Sequence, residues 1–174
     1  MRPKALVTGA SRGIGKAIAY MLAEEGYDLY LVCRYSEKEI NGIRNDLISQ
    51  HGVSCNVYLC DVSDADAVKA FCKEIGEVDV LINNAAVAHV GLLTEMSVTQ
   101  WKQVIGTNLD ALFYTCKYLV PGMVRKKKGK IINIVVKYLI RLGECRRFYR
   151  GCLQCSKRRR KQLYQSIGKG ACTQ

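Results

Sequence analysis

The chain has 174 residues, 49% of them apolar, which suits a single domain with a proper core. Its formal charge of +12 is unevenly placed: residues 1–134 hold 16 Lys+Arg against 14 Asp+Glu and residues 135–174 hold 11 against 1, which argues against a nucleic-acid-binding body and assigns the basicity to the tail. There is no long apolar run and no charged n-region followed by an apolar h-region, so neither a membrane span nor a signal peptide is expected and the expected location is the cytoplasm.

The elements begin with a short apolar run, Lys4-Ala5-Leu6-Val7, that ends at Thr8. Gly9, Gly13 and Gly15 follow in the spacing G-x-x-x-G-x-G, and Ile14, Ile18, Met21 and Leu22 then repeat at helical spacing. This is strand, tight turn, helix. In such a turn one glycine lets the chain reverse, one lets backbone N–H groups approach a pyrophosphate, and one lets the helix sit close to the strand. The helix N-terminus adds partial positive charge and unsatisfied donors where a phosphate would lie.

A second strand is expected over residues 27–34, and its C-terminal end is where an adenosine ribose would be inspected. An acidic side chain there would bind a free 2′-hydroxyl; this chain offers Arg34, with Arg12 in the nearby turn. Two guanidinium groups favour a 2′-phosphate, so NADP is expected over NAD. The alternative is that Arg34 is a solvated charge at a strand end.

A polar amphipathic helix over 37–51 uses Ile40, Ile43, Leu47 and Ile48. A strand over 53–60 is closed by Asp61-Val62, and a helix over 65–75 follows, for which Asp61 as N-cap is the structural alternative to a role in binding. Val78, Val80, Leu81 and Ile82 suggest a central strand buried on both faces, ending in Asn83-Asn84. After a loop over 89–91, a long helical region runs from Met96 through Trp101 to Tyr118 with Asn108 inside it. Asparagine is a poor helix former, so a local polar role is plausible, a satisfied or solvent-facing side chain being the alternative. The basic stretch 125–130 reads as a solvated helix end, or alternatively as a small patch for an acidic carrier protein. Residues 129–134 form a fifth strand. Cys33, Cys55, Cys60, Cys72 and Cys116 sit on apolar positions and read as buried reduced thiols, and neither His51 nor His89 has a ligand partner at useful spacing, so no metal is assigned.

The stretch Thr8-Gly9-Ala10-Ser11-Arg12-Gly13-Ile14-Gly15 departs from the G-x-G-x-x-G dinucleotide fingerprint. It resembles the T-G-x-x-x-G-x-G turn of the short-chain dehydrogenase/reductase family, and within it the 3-oxoacyl-(acyl-carrier-protein) reductases, over roughly residues 3–134. The resemblance implies an α/β fold, a Rossmann-like doubly wound parallel sheet in the order 3-2-1-4-5. It implies an NADP(H)-dependent oxidoreductase that passes a hydride to the carbonyl of an acyl-carrier-protein thioester, with a sugar, steroid or small alcohol or ketone as the alternative substrate, and a homo-oligomer. The implied cofactor contacts are Gly9, Ser11, Arg12, Gly13, Ile14, Gly15 and Arg34, Asp61 and Val62 beside the adenine, and Asn83 and Asn84, which stand in the family's N-N-A-G. Here Ala86 replaces the last glycine, tolerable only where φ is negative. Thr107-Asn108-Leu109 matches the catalytic asparagine, whose main chain holds a water in the proton relay.

The pattern breaks after Ile134. In the family this strand runs into I-S-S, whose serine polarises the carbonyl, and a Y-x-x-x-K follows. Here Val135 and Val136 come next, and no tyrosine in the sequence has a lysine four positions on. Without that pair nothing donates a proton to the carbonyl oxygen, and nothing lowers a tyrosine pKa from about 10. The tail is rich in arginine and cysteine without helix or strand period, and Cys152-Leu153-Gln154-Cys155 lacks the second pair a zinc site needs.

The genetic code gives a simpler account than a basic nucleic-acid arm, a nuclear address or a redox pair. Permitted codons for residues 153–174, read one base later, spell Y-S-A-A-K-G-G-x-N-N-F-T-K-A-L-A-K-E-L-A-P, and the same shift turns Ile134-Val135-Val136 into S-S. First and second codon bases are largely fixed, so a chance match of this length is very improbable. The expectation is a loss of one nucleotide, or a gain of two, close to codon 134. Residues 1–134 then form the nucleotide-binding part, truncated after the fifth strand, and 135–174 a frameshifted, disordered tail. Such a chain keeps only Asn108 of the catalytic set, is inactive as a reductase, and loses the partner helix of the family's dimer. The alternative is a non-catalytic nucleotide-binding or basic interaction module.

Overall fold

The structure is a computed structural model that describes residues 2–134 and the two-residue strand Ile140–Arg141. Numbered in chain order, the strands are β1 (Lys4–Thr8), β2 (Asp28–Cys33), β3 (Cys55–Leu59), β4 (Val80–Asn83), β5 (His89–Val90), β6 (Lys130–Asn133) and β7 (Ile140–Arg141). Five of them form one parallel sheet in the order β3-β2-β1-β4-β6. This is the expected order, the fifth expected strand being β6 once the short β5 is counted.

Helices α1 (Gly13–Glu24), α2 (Glu37–His51), α3 (Ala65–Ile75), α4 (Val98–Ile105) and α5 (Ala111–Arg125) connect the strands. Alternation along β1 divides the core into two layers. Ala5 and Val7 face a cluster with Ala19 and Ala23 of α1 and Ile40 and Leu47 of α2. Leu6 faces the other, with Phe71 and Ile75 of α3 and Leu119 and Met123 of α5. Helices on both faces leave the central strands without a wet side, which is why β4 is buried at all four positions. At the outer strand β6 the burial alternates instead, and Ile132 is 47% exposed.

Register is locked across the last pair. Asn83 stands opposite Asn133, and its Nδ2 donates to Asn133 Oδ1 at 2.7 Å, while Thr115 Oγ1 of α5 donates to Asn83 Oδ1 at 2.9 Å. A buried amide thus ties β4, β6 and α5 together.

Two expectations need correction. The helical region over 96–118 is divided: α4 stops at Ile105, a π-helical turn spans Gly106–Asp110, and α5 resumes at Ala111. One residue more per turn is what a polar side chain needs to leave the helix face, and such turns collect at functional sites. The loop over 89–91 contains β5, which pairs parallel with β7. Two-residue strands are too short to show any period. The rest of the basic tail, with Cys152 and Cys155, lies outside the described residues.

Candidate functional site

In a parallel sheet all strands end on one side, and between β1 and β4 the connections leave to opposite faces, which opens a crevice. A cleft of about 590 Å³ lies at this point. Its floor is the turn between β1 and α1. Gly9 has φ +67°, and a Cβ there would stand 2.9 Å from Ala85 Cα, so both the backbone angle and the space require glycine. At Gly15 a Cβ would stand 2.3 Å from the Gly9 carbonyl oxygen and 2.5 Å from Asn84 Nδ2. Gly13, at φ +57°, meets nothing within 4 Å and is needed for its backbone angle alone. The turn therefore lies with bare backbone against the segment just after β4 and the first turn of α1.

The N-terminus of α1 has no side-chain cap and no acidic residue in its first turn, whereas α3 is capped by Asp64 and α4 by a Ser97–Gln100 capping box. The opening N–H groups of α1 are left to a ligand, and an anion is the group they suit.

One wall is built by the loops after β2 and β3. Arg34 lines the cleft, its Nε 2.9 Å from Asp61 Oδ2 and its guanidinium carbon 4.6 Å from the centre of the Tyr35 ring. Asp61 Oδ1 accepts from the Ser63 N–H at 3.0 Å and from Ser63 Oγ at 2.7 Å. The cap of α3 is Asp64, which accepts from Asp66 N–H and Ala67 N–H, so Asp61 is not the helix cap. Val62 is buried beside it and also lines the cleft.

The other wall comes from the segment after β4. Thr8 Oγ1 accepts from the N–H groups of Asn84 and Ala85 at 3.0 and 3.1 Å, and Asn84 Nδ2 donates to the carbonyls of Thr8 and Gly9 at 3.0 and 3.1 Å. Ala86 meets the condition set for it, since Lys127 is the one non-glycine residue with positive φ among the described residues. Asn108, in the π turn, grips Val87: the Val87 N–H donates to Oδ1 at 2.9 Å and Nδ2 donates to the Val87 carbonyl at 2.7 Å.

The cleft brings together Gly9, Ser11, Arg12, Ile14, Arg34, Asp61, Val62 and Asn84 of the residues expected to bind cofactor. Gly13 and Gly15 shape the turn without lining it, and Asn83 serves the sheet. Asn108 stands behind the wall and holds it through Val87. Tyr35, Val87 and Gln103 also line the cleft, and nothing in the sequence marks them beyond their neighbours. Thr107, which stands in the asparagine motif, lines it too.

Buried Cys33 and Cys60 sit at the cleft, and burial pushes the Cys60 thiol up to about 11, so neither is poised as a nucleophile. All five cysteines among the described residues are free and buried, and no metal-holding cluster occurs among those residues.

A glycine turn with bare backbone, an uncapped helix start and a guanidinium after the second strand meet at one crevice. The family model for short chain dehydrogenase matches residues 3–149. The chain belongs to the short-chain dehydrogenase family. The 3-oxoacyl-[acyl-carrier-protein] reductase FabG of Staphylococcus aureus is 41% identical over 138 residues, covering 77% of this chain and 56% of that protein. A metagenomic short-chain oxidoreductase solved in complex with NADP superposes with a TM-score of 0.72 at 35% identity, over 75% of this chain and 60% of that one. The alcohol dehydrogenase of Thermococcus sibiricus, complexed with 5-hydroxy-NADP, gives 0.72 at 34% identity, over 76% and 57%. This short-chain dehydrogenase chain thus spans little more than half the length of the relatives it matches. No helix among the described residues is long and apolar enough to cross a membrane.

Proposed function

We propose that this chain is the cofactor-holding part of an NADP(H)-dependent reductase of the 3-oxoacyl-(acyl-carrier-protein) type, and that as written it binds the cofactor without completing the reduction. The observation that carries the first half is the fit of the cleft to the group. The backbone at Gly9 and Gly15 admits no side chain, the start of α1 suits a pyrophosphate, and Arg34 stands where a 2′-phosphate on the adenosine ribose would be met. When bound, the reduced nicotinamide supplies a hydride.

What the chain's own residues do is hold and orient. Asp61 and Val62 would border the adenine, Asn84 ties the turn to the segment after β4, and Asn108 fixes the segment ending at Val87. The second half rests on the sequence. Valines, not serines, stand directly after Ile134, and no tyrosine has a lysine four places on, so a bound ketone would lack a proton donor on its oxygen. The codons permitted by the sequence allow the neighbouring reading register to encode all three groups, and on this reading residues 135–174 are the product of a register shift near codon 134.

Repair of the register tests this. The locus is sequenced, one nucleotide is restored near codon 134, and both products are assayed with NADPH and an acetoacetyl thioester. The repaired protein oxidises NADPH and the chain as written does not. Codons that forbid the serine pair or the Tyr-x-x-x-Lys in the shifted register overturn the frameshift, and an inactive repaired protein with those residues in place overturns the substrate class.

A further inference from the structure

The Arg34–Asp61 pair does more than close a surface ion pair. Arg34 is gripped on two sides: its Nε by Asp61 Oδ2 at 2.9 Å, and one face by the Tyr35 ring at 4.6 Å. Asp61 is fixed in turn, because its second oxygen is occupied by the N–H and the hydroxyl of Ser63. Both members are only about a third exposed, at 35% and 29% of the side chain, and both line the cleft. A guanidinium is a planar fork. Nε is the guanidinium atom paired with the carboxylate and one face lies on the ring, while the Nη groups make no hydrogen bond among the described residues and form the edge that bonds a phosphate bidentately.

A free arginine at a strand end would lose rotamer entropy on meeting an anion, and here that ordering has been done in advance by a carboxylate from the next strand. The carboxylate also has a cost, since it sits near the place where the ligand's negative charge would lie. The two effects predict opposite consequences of removing it, so the sign can be measured.

We propose that Asp61 is a positioning residue for cofactor discrimination: acting through Arg34, it sets the preference for an adenosine ribose bearing a 2′-phosphate over one with a free 2′-hydroxyl. This rests on the NADP(H) reading above.

The test is equilibrium binding of 2′,5′-ADP and of 5′-ADP to the full chain, which needs no turnover. In the unmutated chain 2′,5′-ADP binds the tighter; equal affinities sink the NADP(H) reading and this proposal with it. Asp61→Asn keeps the shape and the Ser63 contacts but removes the charge, and lowers the preference by about fivefold, the scale of a partly exposed ion pair. In an Arg34→Lys background, where the Nε grip is already gone, the same change leaves the ratio where it was. If Asp61→Asn raises the preference, the carboxylate acts by repulsion. If it weakens both ligands alike, it acts at the adenine. Either result overturns the proposal while the NADP(H) reading stands. A measurement on the unmutated chain guards against misfolding: the Arg34–Asp61 ion pair persists when 2′,5′-ADP binds, as the Arg34 side-chain nitrogen and Asp61 carboxyl resonances report, and its separation on binding would mean that the ligand breaks the pair, against the proposal.

Discussion

Replacement of Gly15 by alanine separates steric need from conformational need in the turn. Gly15 lies in the first turn of α1 with ordinary helical φ, where alanine normally stabilises a helix by about 1 kcal/mol. Its Cβ would stand 2.3 Å from the Gly9 carbonyl oxygen, 2.5 Å from Asn84 Nδ2 and 2.9 Å from the Gly9 carbonyl carbon, all well inside the ~3.5 Å at which non-bonded atoms rest. Two of these are backbone atoms, so the helix or the turn must shift by roughly an ångström. Overpacking of this kind costs about 1–3 kcal/mol. The Asn84 amide, forced off the Thr8 and Gly9 carbonyls, adds about 1 kcal/mol for each bond lost. The net for Gly15→Ala is a destabilisation of about 3 kcal/mol, with nucleotide binding lost. Gly13→Ala is the control: φ is +57° but no atom lies within 4 Å, so the cost is the left-handed backbone alone, about 1–2 kcal/mol. Urea unfolding followed by far-ultraviolet circular dichroism reads both as shifts of midpoint at constant slope. A Gly15→Ala chain as stable as the unmutated one, or less harmed than Gly13→Ala, would refute the close-approach argument.

Other outcomes follow from the same contacts. Asp64→Ala leaves the Asp66 and Ala67 N–H groups uncapped and lowers stability by about 1 kcal/mol with nucleotide affinity unchanged, as urea unfolding and a binding titration will report. Asn108→Ala removes the partner of the part-buried N–H and carbonyl of Val87, loosens the segment behind the cleft, and weakens nucleotide binding by about tenfold, the effect of losing one such group's satisfaction. The Cys55, Cys60 and Cys72 thiols are held up at about 11, 11 and 12 by burial, against 9.0 when free. A raised folded-state pKa favours the protonated native form, so their contribution is complete below pH 9 and is lost as pH rises through 11–12. Urea midpoints should fall across that window, and at neutral pH all three should react with a thiol reagent only after unfolding.

Much of the fold could be read from the chain because strand, turn and helix signals there agree with one another. The run ending at Thr8, the glycine spacing and the apolar period of α1 each indicate the same unit, and the first three of the four buried positions of β4, Val80, Leu81 and Ile82, appear in the sequence as an apolar run. The π turn did not show, because a single extra residue per turn barely disturbs a 3.6 period. The π turn carries Asn108 to Val87, a contact across 21 positions. The β5–β7 pair left no trace for want of length. At the site, residue types marked the turn, Arg34 and Asp61, but not that Arg34 and Asp61 bond each other, since β2 and β3 are brought side by side only by the sheet. Asn83 and Asn84 are adjacent, but Asn83 ends β4 and bonds across the sheet while Asn84, just past it, bonds the turn after β1.

The most direct test is a titration of the full chain with NADPH, followed by cofactor fluorescence, then addition of an acetoacetyl thioester while the nicotinamide absorbance is watched. The account predicts saturable NADPH binding that weakens with salt and no loss of absorbance when the thioester is added. Brisk oxidation of NADPH, or no binding at all, would contradict it.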